Sequence, residues 1–160
     1  MTLSRTPIER SELYSSVEIT PCSVDKFDEE DWSRAAELLE HAVSRYSDVD
    51  MFAILSDVAD GTAQLWAITD EAGYGIGAMV TRVVEYPSEY TVFMIQLCGT
   101  EGGRMTPEAM QTATGHLEEV ARHLGCDAVR ICGRKGWGRI LQGYVEVERT
   151  FDKVLRKADD

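Results

Sequence analysis

Gly99-Thr100-Glu101-Gly102-Gly103-Arg104, followed by Thr106-Pro107, is a glycine-rich loop set just before a helix start. Glycines let successive backbone N–H groups turn toward one point, and a helix that begins just after them adds the positive end of its dipole, so this pattern can hold an anion. Gly102, Gly103 and Arg104 supply the donors and one cation. The same residues also suit a plain strand-to-helix connection. A second cluster is basic. Arg130, Arg134, Lys135 and Arg139 form a positive island, and Trp137 sits inside it. Arginine beside an exposed tryptophan is the composition of a protein-binding hot spot, so Arg134, Lys135, Trp137 and Arg139 are candidate partner-binding residues. The island could equally receive a phosphate, or be a solvated loop whose Trp137 turns into the core. His116 and His123 stand seven apart, two helical turns, whereas one metal takes histidines three or four apart; no metal site is expected. Cys22, Cys98, Cys126 and Cys132 form no C-x-x-C pair and read as reduced thiols.

The chain surrounding these residues is acidic, with a formal net charge of −12. Residues 1–80 carry 16 acidic against 5 basic side chains, whereas residues 81–160 carry 12 against 11. Nucleic-acid binding needs a basic face that displaces counterions, so this balance disfavours it. The acidic half can meet a basic partner or simply keep the protein in solution. Apolar residues make up 44%, enough for one packed domain. No apolar run approaches the roughly 20 residues of a membrane helix. The start lacks the apolar core of a secretory signal, so a cytoplasmic protein, or one assembled there, is expected.

The elements that must position the candidates follow from periodicity. Residues 1–16 read as a polar arm. Val17–Thr20 reads as an edge strand ended by Pro21. Asp28–Tyr46 reads as a helix, with Trp32, Ala35, Ala36, Leu39, Val43 and Tyr46 on one face and Glu29, Glu30 and Asp31 in its first turn. A shorter helix covers Val49–Ala59, with Met51, Ile54, Leu55 and Val58 as its stripe and Gly61 past its end. Gln64–Thr69 is a strand, Asp70–Gly73 a turn, and Tyr74–Tyr86 a longer strand in which Gly75 and Gly77 mark a bulge or close backbone approach. Tyr90–Leu97, apolar on both faces, belongs in the sheet's interior. Thr106 caps a helix over Pro107–Leu124 that buries Met110, Ala113, Leu117, Val120, Ala121 and Leu124 and ends at Gly125. Ala128–Cys132 is a short strand, Trp137–Gln142 a short helix, Tyr144–Arg149 and Thr150–Leu155 closing strands, and residues 156–160 a charged tail. A strand meander feeding a helical crossover predicts an α/β domain over residues 17–155, with a mixed sheet and helices on both faces.

That element order resembles the GNAT, or N-acetyltransferase-like, fold. The resemblance is carried by Leu117–Cys126, similar to the family's main helix and its exit, and by Gly143-Tyr144, which stands where the family has Gly-Phe. Gly61, Gln64–Ile68 and Gly75–Ala78 are similar to its second and third strands. It implies a GNAT-like central mixed, mostly antiparallel sheet. Within the superfamily, Gly133–Trp137 and the compact length are similar to small GNAT-like proteins of tailed bacteriophages, some of which resemble virion components rather than enzymes.

The resemblance also implies chemistry against which this chain can be tested. The family's phosphate loop, Q/R-x-x-G-x-G/A, has its nearest match in Gln96-Leu97-Cys98-Gly99-Thr100-Glu101, where a carboxylate replaces the final small residue and would repel pyrophosphate. Gly102, Gly103 and Arg104 offer a second frame without the family spacing. The usual acid, a Tyr four residues before Gly-Phe, corresponds to Arg139, which stays protonated and cannot donate a proton at neutral pH. Tyr144 is nearby but fills the packing position. A general base could come from Glu85, Glu89 or Tyr90. Cys98 and Cys132 fall at equivalent ends of two strands that splay in this fold to admit the pantetheine arm. They read as small hydrophobes there, or as a nucleophile with His116 or His123 as base.

Two readings remain. One is a GNAT scaffold without its chemistry, needing no cofactor and acting as a structural component of a bacteriophage virion or its assembly. Its partners would be other virion proteins or copies of itself. The other is an N-acetyltransferase that uses acetyl-CoA through an atypical phosphate loop. Glu101 and Arg139 favour the first.

Overall fold

The computed structural model describes residues 17–22, 28–43, 50–101, 104–132, 143, 144 and 153. Within them five strands lie side by side in chain order: β1 (Glu18–Cys22), β2 (Gln64–Thr69), β3 (Gly75–Glu85), β4 (Thr91–Thr100) and β5 (Ala128–Ile131). Neighbours from β1 to β4 are antiparallel, and β5 joins β4 in parallel. The described helices are α1 (Glu29–Val43), α2 (Met51–Asp60) and α3 (Pro107–His123). A parallel neighbour cannot follow through a tight turn, so α3 carries the chain across the sheet between β4 and β5. The predicted arm, short helix, closing strands and charged tail lie outside the described residues.

Local chemistry fixes the element ends. Asp50 caps α2 by accepting from the Phe52 N–H at 3.1 Å. Gly61 closes α2 at φ 86°, a left-handed conformation that suits glycine, as the sequence predicts. Thr106 Oγ1 accepts from the Ala109 N–H at 3.1 Å, and Pro107 fills the first turn of α3, where its missing N–H costs nothing. At α1, Asp28 accepts from the Asp31 N–H at 2.8 Å, and three carboxylates occupy the positive end of the dipole.

Two apolar layers flank the sheet. On one face Ala35, Leu38 and Leu39 of α1 and Ile54 and Val58 of α2 pack on Leu65, Ala78, Val80 and Leu97. On the other, Met110, Ala113, Leu117 and Ala121 of α3 pack on Trp66, Ile68, Met79, Phe93 and Ile95. Trp66 is satisfied within that layer, donating its indole N–H to Thr81 Oγ1 at 2.9 Å.

Several boundaries differ from expectation. β1 continues through Pro21 to Cys22, with Pro21 opposite Trp66. Among the described residues β1 is an edge strand with β2 as its neighbour, a position where proline is tolerated. α1 begins at Glu29, and its buried face includes Leu38, while Ala36 is only half-buried. α2 begins two residues later than predicted, after its Asp50 cap. Leu124, expected in the α3 stripe, is 60% exposed just past the helix end. Cys132 lies just beyond β5 and is exposed.

The largest correction concerns Gly99 and Thr100. They are not loop residues: β4 runs to Thr100, with Gly99 opposite Ala78 and Thr100 opposite Gly77. Gly99 is there for contact rather than flexibility. A Cβ at Gly99 would stand 1.9 Å from the Leu38 carbonyl oxygen, so the backbone of α1 rests directly on β4. Two bulges shape the same region. Ile76 is the extra residue between the Ile68↔Gly77 and Thr69↔Gly75 pairs, which answers the bulge predicted from Gly75 and Gly77. Gln96 is the extra residue between Val80↔Leu97 and Thr81↔Ile95. An inserted residue reverses the side-chain alternation. Phe93 and Ile95 accordingly face α3, whereas Leu97 faces α1 and α2.

Gly99→Ala should therefore lower stability by at least about 3 kcal/mol, since neither backbone can yield without moving a helix or a strand. Gly115→Ala, inside α3 with open space around its would-be Cβ, should raise stability by about 0.5–1 kcal/mol. Urea denaturation of both variants checks the pair.

Candidate functional site

The candidate site is the end of the sheet where β4 hands the chain to α3. Glu101 is its hub. Its backbone N–H donates to the Ile76 carbonyl at 2.9 Å, tying the chain to β3 just past the end of β4. Its carboxylate takes an Arg34 N–H at 2.6 Å, the Arg104 Nε at 2.7 Å and the Tyr74 hydroxyl at 3.1 Å. Arg34 comes from α1, donates its Nε to the Gly75 carbonyl at 2.9 Å and also pairs with Glu37 at 3.0 Å. Gly75 leaves room for it: a Cβ there would lie 3.2 Å from Arg34 Cγ. Arg104 pairs in turn with Asp70 at 3.2 Å. Both guanidinium groups lie over the Tyr74 ring, at 4.6 and 4.7 Å from its centroid. Such contacts are cation–π stabilised.

Asp70 itself organises the β2–β3 turn that presents Tyr74. Its Oδ1 accepts from the Ala72 N–H at 3.0 Å and the Tyr74 N–H at 2.9 Å. The whole assembly thus joins α1, the β2–β3 turn and the β4–α3 turn around one carboxylate. The Arg34 guanidinium above all, helped by the Tyr74 hydroxyl and the charge of Arg104, holds the Glu101 carboxyl below its ordinary value of 4.5.

The predicted binding residues fare unequally. Gly102 and Gly103 lie outside the described residues. Arg104 is at the turn, but its guanidinium is engaged by Glu101, Asp70 and Tyr74. Its backbone N–H donates to the Glu101 carbonyl at 3.2 Å, and the Met105 N–H does so at 3.4 Å. Gln96, the family-like start of a phosphate loop, is the bulge residue of β4. Its Oε1 accepts from Arg82 Nε at 2.8 Å, and Arg82 also pairs with Asp57 of α2 at 2.9 Å. Gln96 is thus bound on the α2 side, not at the turn.

Among the described residues the β4–β5 pairing is short. The β4–β5 ladder runs from Val92↔Ala128 to Ile95↔Ile131 and closes with the Cys132 N–H donating to the Ile95 carbonyl at 3.0 Å. It stops at the Gln96 bulge. From there to Thr100, β4 is paired with β3 alone among the described residues. Cys98 lies in this stretch, half-buried against the α3-side layer.

The candidate catalytic residues are scattered. Glu85 is exposed at the end of β3, opposite Thr91, and Glu89 and Tyr90 are exposed in the following turn. Thr91 begins β4 and Thr100 ends it, so these groups are about 30 Å from the Glu101 hub at strand rise. Tyr144 packs against the α3-side layer and donates its hydroxyl to Glu118 Oε2 at 2.8 Å. Burial first, then Glu118, raises its pKa, so it stays protonated. His116 is exposed and its ring meets Trp66 edge-on at 6.1 Å. Arg134, Lys135, Trp137 and Arg139 lie outside the described residues. Arg34, Tyr74 and Asp70 were missed by sequence reasoning. Each is an ordinary surface-type residue, and only their convergence on Glu101 marks them.

Comparison with solved structures adds the fold's kinship. An aminoglycoside acetyltransferase from an uncultured soil metagenomic sample superposes with a TM-score of 0.65 at 11% identity, over 88% of this chain and 97% of that one. A GNAT family acetyltransferase of Staphylococcus aureus gives 0.59 at 13%, over 87% and 98%. The fold is that of the GNAT acetyltransferases. A ribosomal-protein-alanine N-acetyltransferase of Brucella melitensis, with a TM-score of 0.63 at 12% identity, covers the same extent: 88% of this chain and 99% of that one. No protein-family model matches the sequence, and no curated protein matches it.

Two outcomes follow from the site's electrostatics. A carboxyl with a depressed folded pKa contributes stability that is fully present above its unfolded value and lost as pH falls through the folded one. Wild type should therefore be more stable than Glu101→Gln at pH 7. The gap should close as the pH is lowered well below 4.5; a constant gap in denaturation midpoints would contradict the pairing. Among the thiols, Cys22 is buried, and burial with Asp31 nearby pushes its pKa up to about 12, whereas Cys132 is exposed. Mass spectrometry after brief iodoacetamide treatment of the native protein should find Cys132 labelled and Cys22 untouched.

Proposed function

We propose that this chain is an acyl-CoA-dependent N-acyltransferase, with acetyl-CoA as the simplest donor. The observation that carries the reading is the early end of the β4–β5 ladder. Among the described residues β4 outruns β5 from the Gln96 bulge to Thr100, directly before the turn into a capped α3. In a sheet of this fold that is where a pantetheine arm would lie along open backbone. The reaction would have an acceptor amine attack the thioester carbonyl, break its C–S bond and release CoA thiol. Of the sequence's catalytic candidates, Tyr144 is protonated through neutral pH with its hydroxyl on Glu118, and Glu85 lies at the far end of β3 from the Glu101 turn.

The preference for an inactive scaffold rests in the sequence on Glu101 and Arg139. The structure weakens the first objection. Glu101 is turned onto Arg34, Arg104 and Tyr74, so its charge is largely compensated within the protein. A second reading, a scaffold that works only through contacts with other proteins, is favoured by the amides of Arg104 and Met105. They fold back onto the Glu101 carbonyl instead of standing free as phosphate donors. Its narrower form, a component of a phage particle, rests on the resemblance of Gly133–Trp137.

Titration calorimetry with CoA and acetyl-CoA separates the two. The transferase reading expects dissociation constants below about 100 μM, weakened at least tenfold by Gly103→Pro, which removes one backbone donor from the turn. No heat at high protein concentration would overturn it in favour of the scaffold.

A further inference from the structure

The turn between β4 and α3 contains its own anion. Among the described residues the cations bonded at this end of the sheet are Arg34 and Arg104, and Glu101 engages both. The two differ in freedom. Arg34 is the better buried, its side chain 22% exposed, and it is held by the Gly75 carbonyl and by Glu37 as well. The Arg104 side chain is 54% exposed and, among the described residues, is bound by carboxylates and the face of Tyr74. With Asp70 and Glu37 included, three carboxylates face two guanidinium groups, so the cluster carries a net charge of −1 and does not attract a phosphate as it stands.

We infer that Glu101 is an internal competitor for the phosphates of the acyl donor, holding Arg104 until a diphosphate takes its place. Arg34 keeps Glu101 in both states, since its anchors lie on the sheet and on α1, while Arg104 swings from Glu101 and Asp70 to the ligand. The inference rests on the acyl-CoA reading of the site. It makes Glu101 an affinity-setting residue that weakens donor binding without touching the thioester end of the donor.

The sign of the effect is fixed by charge. Glu101→Gln keeps the side-chain shape and removes one negative charge within several ångströms of a polyanion. At such distances, with the exposed turn screened as in bulk water, this amounts to about fivefold in affinity. CoA should bind Glu101→Gln about fivefold more tightly than wild type, with the gain shrinking at high salt. Acetyl-pantetheine, which lacks the phosphates, should bind both proteins alike. Tyr74→Phe, which loosens Glu101 without changing charge, should give no gain. If Glu101→Gln is unfolded by circular dichroism, Arg104→Gln decides: at this exposed position it should weaken CoA several-fold and leave acetyl-pantetheine unchanged.

Wild type that binds CoA while Glu101→Gln binds it equally or more weakly would overturn the inference and leave the transferase reading intact. A CoA affinity unmoved by Arg104→Gln would do the same. Binding by Glu101→Gln alone would support the competitor in its strongest form. Absence of binding by wild type, Glu101→Gln and Tyr74→Phe alike would overturn both.

Discussion

The backbone of α1 rests on the backbone of β4 at Gly99, and the geometry of the candidate site depends on that contact. With no side chain between them, the Leu38 carbonyl and the Gly99 α-carbon approach closer than any other residue allows. The contact sets the position of α1 along the strand. Arg34 lies one turn before Leu38 on the same side of the helix, and Glu101 lies two residues after Gly99 on the same side of the strand. One close approach therefore brings the guanidinium of Arg34 onto the carboxylate of Glu101. Gly75 completes the fit by leaving space for the Arg34 stem.

The second constraint is the bulge at Gln96. A regular β4 would present one set of alternate residues to each face along its whole length. The inserted residue lets Ile95 serve the α3 layer and Leu97 the α1–α2 layer two positions later. Among the described residues the ladder to β5 also ends there. The break in pairing and the Glu101 cluster thus lie on the same short stretch of β4.

This arrangement separates what kinship of fold provides from what the chain itself decides. Similarity at 10–16% identity to acetyltransferases establishes architecture and leaves chemistry to the residues. Those residues form an unusual β4–α3 turn. Its arginine is neutralised, its described amides are turned inward, and its hub is an acid. An affinity built on such a turn must come from displacing internal pairs, which is costlier than filling an empty cradle.

Among the described residues the sequence by itself determined the elements and their order, because periodicity and end chemistry are local. The strand at Gln64–Thr69, the stripe of α3 with Thr106 and Pro107 at its start, Gly61 past α2 and the bulge near Gly75 were all legible from neighbours within a few residues. It also located the turn and singled out Glu101 and Arg104. What Glu101 does was decided only by tertiary structure. Its partners Arg34 and Tyr74 are 67 and 27 residues away along the chain. No local pattern distinguishes an acid that repels a phosphate from one already bound to two arginines. Gly99 misled for the same reason. Glycine is read as flexibility when only the chain is visible, and as the place where two backbones meet once the fold has closed.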